Sequence, residues 1–169
     1  MDLEGLDVAA IIGDQYDDTI NIFGHAAMAV TNQGVYSWGT NHEWGHSLYA
    51  YLWGGSTSNG FYIDGEVEHR NVVIYIIRSD VSHDYKAINE FFKVYNKGYS
   101  ISNGRTCATA VSGALHYGLG LKGVNMTIFP WTLKITADKY DSVKITFPQG
   151  SSFPYDIYMN YLAQFEKNY

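Results

Sequence analysis

The segment Asn71-Val72-Val73-Ile74-Tyr75-Ile76-Ile77-Arg78 constrains the fold more than any other stretch of the chain. From Val72 to Ile77 it is apolar without interruption, rich in β-branched side chains and too short for an ordinary helix, which is the pattern of a strand buried on both faces. Such a strand needs a covering layer on each side. A chain of 169 residues with 46% hydrophobic side chains can supply both within one domain, residues 1–169, in which 121–169 form a C-terminal extension of the same unit.

The other segments alternate between strand and helix signals. Ile20 to Val30 and Val35 to Trp38 read as a hairpin around Thr31-Asn32-Gln33-Gly34, and Phe61-Tyr62-Ile63 as a further strand. Between them, Gly39 to Gly60 mixes glycine, serine and aromatic residues. It reads as a loop region over a cleft, with one or two helical turns at Ser47 to Trp53. Ser82 is placed to cap a helix carried by Ile88, Phe91, Phe92 and Tyr95 and ended by Gly98. A second helix follows the Asn103-Gly104 turn, capped by Thr106 or Asn103, with Ala108, Val111 and Leu115 on its apolar side and a stop at Gly118. Thr132 to Thr136 and Val143 to Phe147 alternate as strands, and Asp156 to Lys167 reads as a terminal helix on Ile157, Tyr161, Leu162 and Phe165. Residues 1–19 are acidic around the apolar run Val8 to Ile12. The stretch Gly13 to Asp18 lacks the ligand spacing of a calcium loop and reads as a solvated turn. The order of elements is that of an α+β domain.

Charge narrows the partners. A formal net charge of −6 with no clustered run of Lys or Arg argues against nucleic acid, and equally against electrostatic docking on anionic lipid. No apolar run approaches the ~18 residues of a membrane span, so no stable membrane insertion is expected. No signal peptide is read either; export is expected to depend on a larger parent polypeptide or a dedicated secretion system. The single cysteine forms no internal disulfide, which leaves its thiol free for chemistry.

That cysteine, Cys107, falls in the first turn of its predicted helix, where unpaired backbone N–H groups and the helix dipole favour a thiolate and Arg105 adds a nearby charge. His25, in Phe23-Gly24-His25-Ala26-Ala27-Met28-Ala29-Val30, shares a strand face with Ala27 and Ala29, small side chains that leave room for an element bearing the thiol. A structural histidine and a buried core cysteine are the plainer readings of the same residues.

Taken with Gly34-Val35-Tyr36-Ser37-Trp38-Gly39 and Asn103 to Cys107, the histidine strand resembles the circularly permuted branch of the NlpC/P60 papain-like proteins. The likeness is strongest to toxin domains at the C-termini of Rhs-repeat polymorphic toxins, and it covers about residues 13–120. The resemblance implies an antiparallel sheet packed against the cysteine helix, and a cysteine hydrolase acting as an antibacterial effector. In it Cys107 is the nucleophile and His25 the general base, with a third residue drawn from Ser37, Thr40 or His42. The substrate would be a peptide or an acyl lipid, and a cognate immunity protein is the expected partner. No cofactor or metal is implied.

A rival reading comes from His42-Glu43-Trp44-Gly45-His46, a literal HExxH. On a helix the two histidines would bind zinc and Glu43 would activate water, with Glu66, Glu68 or His69 available as third ligand. A non-catalytic binding module is the third alternative. His116 reads as structural, and His69 and His83 as solvated.

Overall fold

The computed structural model describes residues 6–15, 24–38, 44–56, 62–140 and 142–167. Its elements follow the chain as β1 (Leu6–Gly13), β2 (His25–Val30), β3 (Gly34–Ser37), β4 (Trp44–His46), α1 (Leu48–Trp53), β5 (Gly55–Ser56), β6 (Tyr62–Ile63) and α2 (Glu66–His69), then β7 (Val72–Ser79), α3 (Val81–Tyr95), α4 (Cys107–Gly113), α5 (Pro130–Ala137), β8 (Val143–Phe147) and α6 (Tyr155–Ile157). Six of the strands form one antiparallel sheet in the order β4-β3-β2-β1-β7-β8. The domain is therefore α+β.

The apolar run does form an interior strand: β7 lies between β1 and β8, with Val72 to Ile77 buried. Its neighbour β1 is the short apolar run among the N-terminal acidic residues, where the sequence suggested no strand. Val8 to Ile12 are buried because β1 pairs with β2 from Val8 to Gly13 on one side and with β7 along its whole length on the other.

Alternation along the strands divides the core in two. Val8, Ala10, Ile12, Ala26, Met28 and Val30 face a layer built by α3 and α4, where Phe91, Ala108, Val111 and Leu115 pack. Ala9, Ile11, Ala27, Ala29, Ile74 and Ile76 face the opposite layer, built from α1, α2 and the C-terminal segment, where Leu48, Tyr51, Leu52, Val67 and Leu162 pack. Beyond Gly113, α4 widens into a π-helical turn over Ala114–Gly118. A Cβ on Gly118 would strike the backbone of Ala87, so its lack of side chain is what lets this turn lie against α3.

Several boundaries differ from the expected ones. Asp80, not Ser82, caps α3, its carboxylate accepting from the His83 N–H, and the helix ends at Tyr95. Thr132 to Thr136 is helical, not a strand: Pro130 starts α5 and turns Leu133, Thr136 and Ala137 inward at helical spacing. The C-terminal segment is helical from Tyr155 to Phe165, but in three short pieces, and it buries Tyr158, Leu162 and Phe165 while Ile157 and Tyr161 stay exposed. The predicted hairpin is formed by β2 and β3; Ile20 to Phe23, and Phe61 beside β6, lie outside the described residues.

Candidate active site

Cys107 is the first residue of α4. Thr106 caps the helix, its side chain accepting from the Thr109 N–H while the Thr109 hydroxyl accepts from the Thr106 N–H, so the first turn is fixed from both sides. The thiol is 7% exposed and lies against β2 where the backbone N–H of Ala26 reaches it, together with the N–H groups of Cys107 and Ala108. These amides and the Arg70 guanidinium favour a thiolate, but burial outweighs them and pushes the Cys107 thiol above its ordinary value. The expected resting thiolate is thus corrected to a thiol. Arg105 is not the cation concerned: its Nε donates to the Gly98 carbonyl at 2.8 Å, and the charge felt at Cys107 is that of Arg70.

His25 is the first residue of β2, and its Nε2 lies 2.8 Å from the Oγ of Ser37, one of the three candidates for the third position. Thr40 and His42 lie outside the described residues. Ser37 stands opposite Ala27 in the β2/β3 register, so His25, Ala27 and Ser37 share one face. That face does not receive α4. The small side chains of Ala27 and Ala29 instead accommodate Leu48, Tyr51 and Leu52 of α1, and α4 packs on Ala26, Met28 and Val30. Cys107 and His25 therefore approach the same point of β2 from its two sides, at consecutive residues, and no hydrogen bond joins thiol to ring among the described residues. Burial, with a smaller contribution from the Arg70 charge, lowers the His25 pKa to about 3. The pair rests as neutral thiol and neutral imidazole.

The His25 face also carries side chains that the sequence did not single out. Arg70 and Glu66 are buried and form an ion pair, Nε to Oε2 at 2.9 Å. Tyr51 is buried beside them; desolvation and the Glu66 charge raise its phenol well above the ordinary value, against which Arg70 and a hydrogen bond from Ser37 act. The i, i+4 spacing of Glu66 and Arg70 was a readable signal of the pair, although not of its burial. Arg70 further lines an open cleft of about 400 Å³ with Asp14, Gln15, Asn71 and Gln149. On the thiol side a shallow groove runs past Cys107 between Gly24, Tyr99, Ile101 and Phe129. Trp38 backs it, its ring 5.3 Å from that of Tyr99.

The HExxH reading does not keep its helix. Trp44 to His46 form β4, with His46 paired to Val35, and Gly45 has a φ of 77°, so these three residues cannot belong to the helical turn that would set two histidines side by side. His42 and Glu43 lie outside the described residues. Glu66, a candidate third ligand, is engaged by Arg70. His116 is structural as expected, its Nδ1 2.7 Å from the Val124 carbonyl oxygen, and His83 is exposed beside Asp80. No helix among the described residues is long and apolar enough to cross a membrane.

Compared with known proteins, the chain matches no family, no curated protein and no solved structure.

Proposed function

We propose that the protein is a papain-like cysteine hydrolase with the permuted order of its parts, acting as a toxin domain on an amide or acyl bond. The observation that carries this reading is a helix-start thiol within reach of three backbone N–H groups, one of them that of Ala26, the residue that follows a His25 anchored by Ser37. A carbonyl oxygen turning into an oxyanion beside Cys107 has those amides as ready donors. The groove of Gly24, Tyr99, Ile101 and Phe129 gives the reacting group a seat.

The charge states define the order of events. Because the resting pair is neutral, proton transfer accompanies attack instead of preceding it, and the imidazole must turn toward the thiol when substrate is bound. With Nε2–H donating to Ser37 Oγ, Nδ1 is the free base. It takes the thiol proton as Sγ bonds to the carbonyl carbon, then gives that proton to the leaving atom as the tetrahedral species collapses to a thioester. Water, losing a proton to Nδ1, releases the acyl group and restores the thiol.

The test is hydrolysis or toxicity of the purified, folded protein. Cys107→Ala abolishes it, and His25→Ala lowers turnover by about 10²–10⁴-fold. Full activity in Cys107→Ala would refute the reading. Chelators leave activity intact and thiol alkylation destroys it; the reverse pattern would instead support the zinc enzyme. Expression in the periplasm against the cytoplasm of a bacterial host separates a wall peptide from an intracellular substrate.

A further inference from the structure

Arg70 has no place in the two-residue mechanism, yet the fold goes to some length to hold it. Its side chain is 2% exposed and its Nε is ion-paired with Glu66. Its stem occupies the space over Gly13, where any Cβ would collide with Arg70 Cδ. Gly13 is the cross-strand neighbour of His25, and it shares the strand face of Ile11, the face onto which His25 also projects. The missing side chain at position 13 is therefore what admits a cation beside the imidazole.

We propose that Arg70 is a positioning residue of the Cys107 site, a buried cation fixed next to His25 by Glu66 and Gly13; this rests on the cysteine-hydrolase reading. A guanidinium at that place opposes a second positive charge on the ring and favours negative charge on sulfur, and His25 and Cys107 both feel it in those senses. Its chemical effect falls on the transient imidazolium. Formed beside Arg70, that ion is a stronger acid than a solvated one and is pressed to give up its proton to the leaving atom. The thiol proton thus passes to Nδ1 and on to the leaving group, with nothing else gained or lost. The other titratable groups around the cation are Glu66 and His69 of α2, Tyr51 of α1 and Asp14 after β1. Glu66 anchors Arg70 through their ion pair.

The experiment is a pH titration of the His25 ring by NMR in the full chain, with the rate of Cys107 alkylation by iodoacetamide measured alongside. Arg70→Met combined with Glu66→Leu removes both charges of the ion pair. It is expected to raise the His25 midpoint by more than about one pH unit and to slow alkylation near pH 8 by about tenfold. Arg70→Lys, which keeps the charge, is expected to stay near wild type in both. If the double variant does not fold, Arg70→Gln with Glu66→Gln, equally neutral and closer in shape, carries the same test. A His25 midpoint and an alkylation profile unchanged in a folded, neutral variant overturn the proposal while Cys107→Ala remains inactive. Hydrolysis persisting in Cys107→Ala would remove the cysteine-hydrolase reading, and the proposal with it, even where the His25 midpoint moves.

Discussion

The two faces of the sheet are equally buried and differently made. Toward α3 and α4 the strands meet Phe91, Val111 and Leu115, and Cys107 sits within that apolar layer. Toward α1 and α2 the layer is apolar for most of its length and then, at the end near Gly13 and His25, becomes a cluster of Ser37, Tyr51, Glu66 and Arg70. The lesson is that a polar end to a core is affordable when its charges come in pairs. An apolar contact can be truncated one side chain at a time, whereas an ion pair is stable only as a unit.

The sharpest way to break this comparison is to truncate each face singly and then in pairs. Phe91→Ala is expected to cost about 3–5 kcal/mol by opening a cavity. Arg70→Ala is expected to cost a similar amount, about 3–5 kcal/mol, by leaving Glu66 charged and alone. The double change Arg70→Met with Glu66→Leu should recover most of the second loss, and no partner substitution is expected to recover the first. Denaturant unfolding of the four proteins checks this; a double variant as unstable as Arg70→Ala would show that the pair is held by more than mutual compensation.

A second difference between the faces appears in acid. The folded His25 pKa of about 3 lies below the ordinary 6.5, so the unfolded chain takes up a proton that the folded chain refuses. Stability from this group is complete above pH 6.5 and is lost as the pH falls toward 3, at up to about 1.4 kcal/mol per pH unit. Unfolding free energies measured for wild type and His25→Gln should therefore diverge across that window and run parallel above it. On the α4 face a smaller effect is expected from the helix cap: Thr106→Ala should cost about 1 kcal/mol, equally at pH 5 and pH 7. A cost that varied between pH 5 and 7 would count against a simple capping role.

The apolar face was the more legible of the two. Val72 to Ile77, and Phe91 on its helix, announce themselves by local pattern, because the property that buries them is carried by the residues themselves. Cys107 at a helix start and His25 on its strand, though not at the start of it, were readable for the same reason, and Ser37 was named as a candidate through its strand. Arg70 was not readable. Its burial depends on Gly13, a residue distant in sequence, and no local pattern records that a glycine and an arginine will share one space. The β1 strand was obscured by the acids around it, which say nothing about pairing on both edges. Thr132 to Thr136 was misread because alternating β-branched residues imitate a strand, while the contacts of Leu133 and Ala137 with the core determine the helix.

The placement of β1 also bears on how the chain acquires its structure. The hairpin of β2 and β3 joins residues close in sequence and can close within microseconds. By contrast, β1 must find β7, with Leu6 meeting Ser79 and Gly13 meeting Val72, before either interior strand has both of its neighbours. Closing that long loop takes chain entropy in advance of any contact that rewards it, so it falls late and sets the pace of folding. Gly13, the seat of Arg70, and His25 are brought beside each other by the β1/β2 pairing, whereas Arg70 itself arrives only with β7. The cation is thus among the last parts to reach the site, and a chain stalled before that event would carry the thiol and the imidazole without the charge beside the ring.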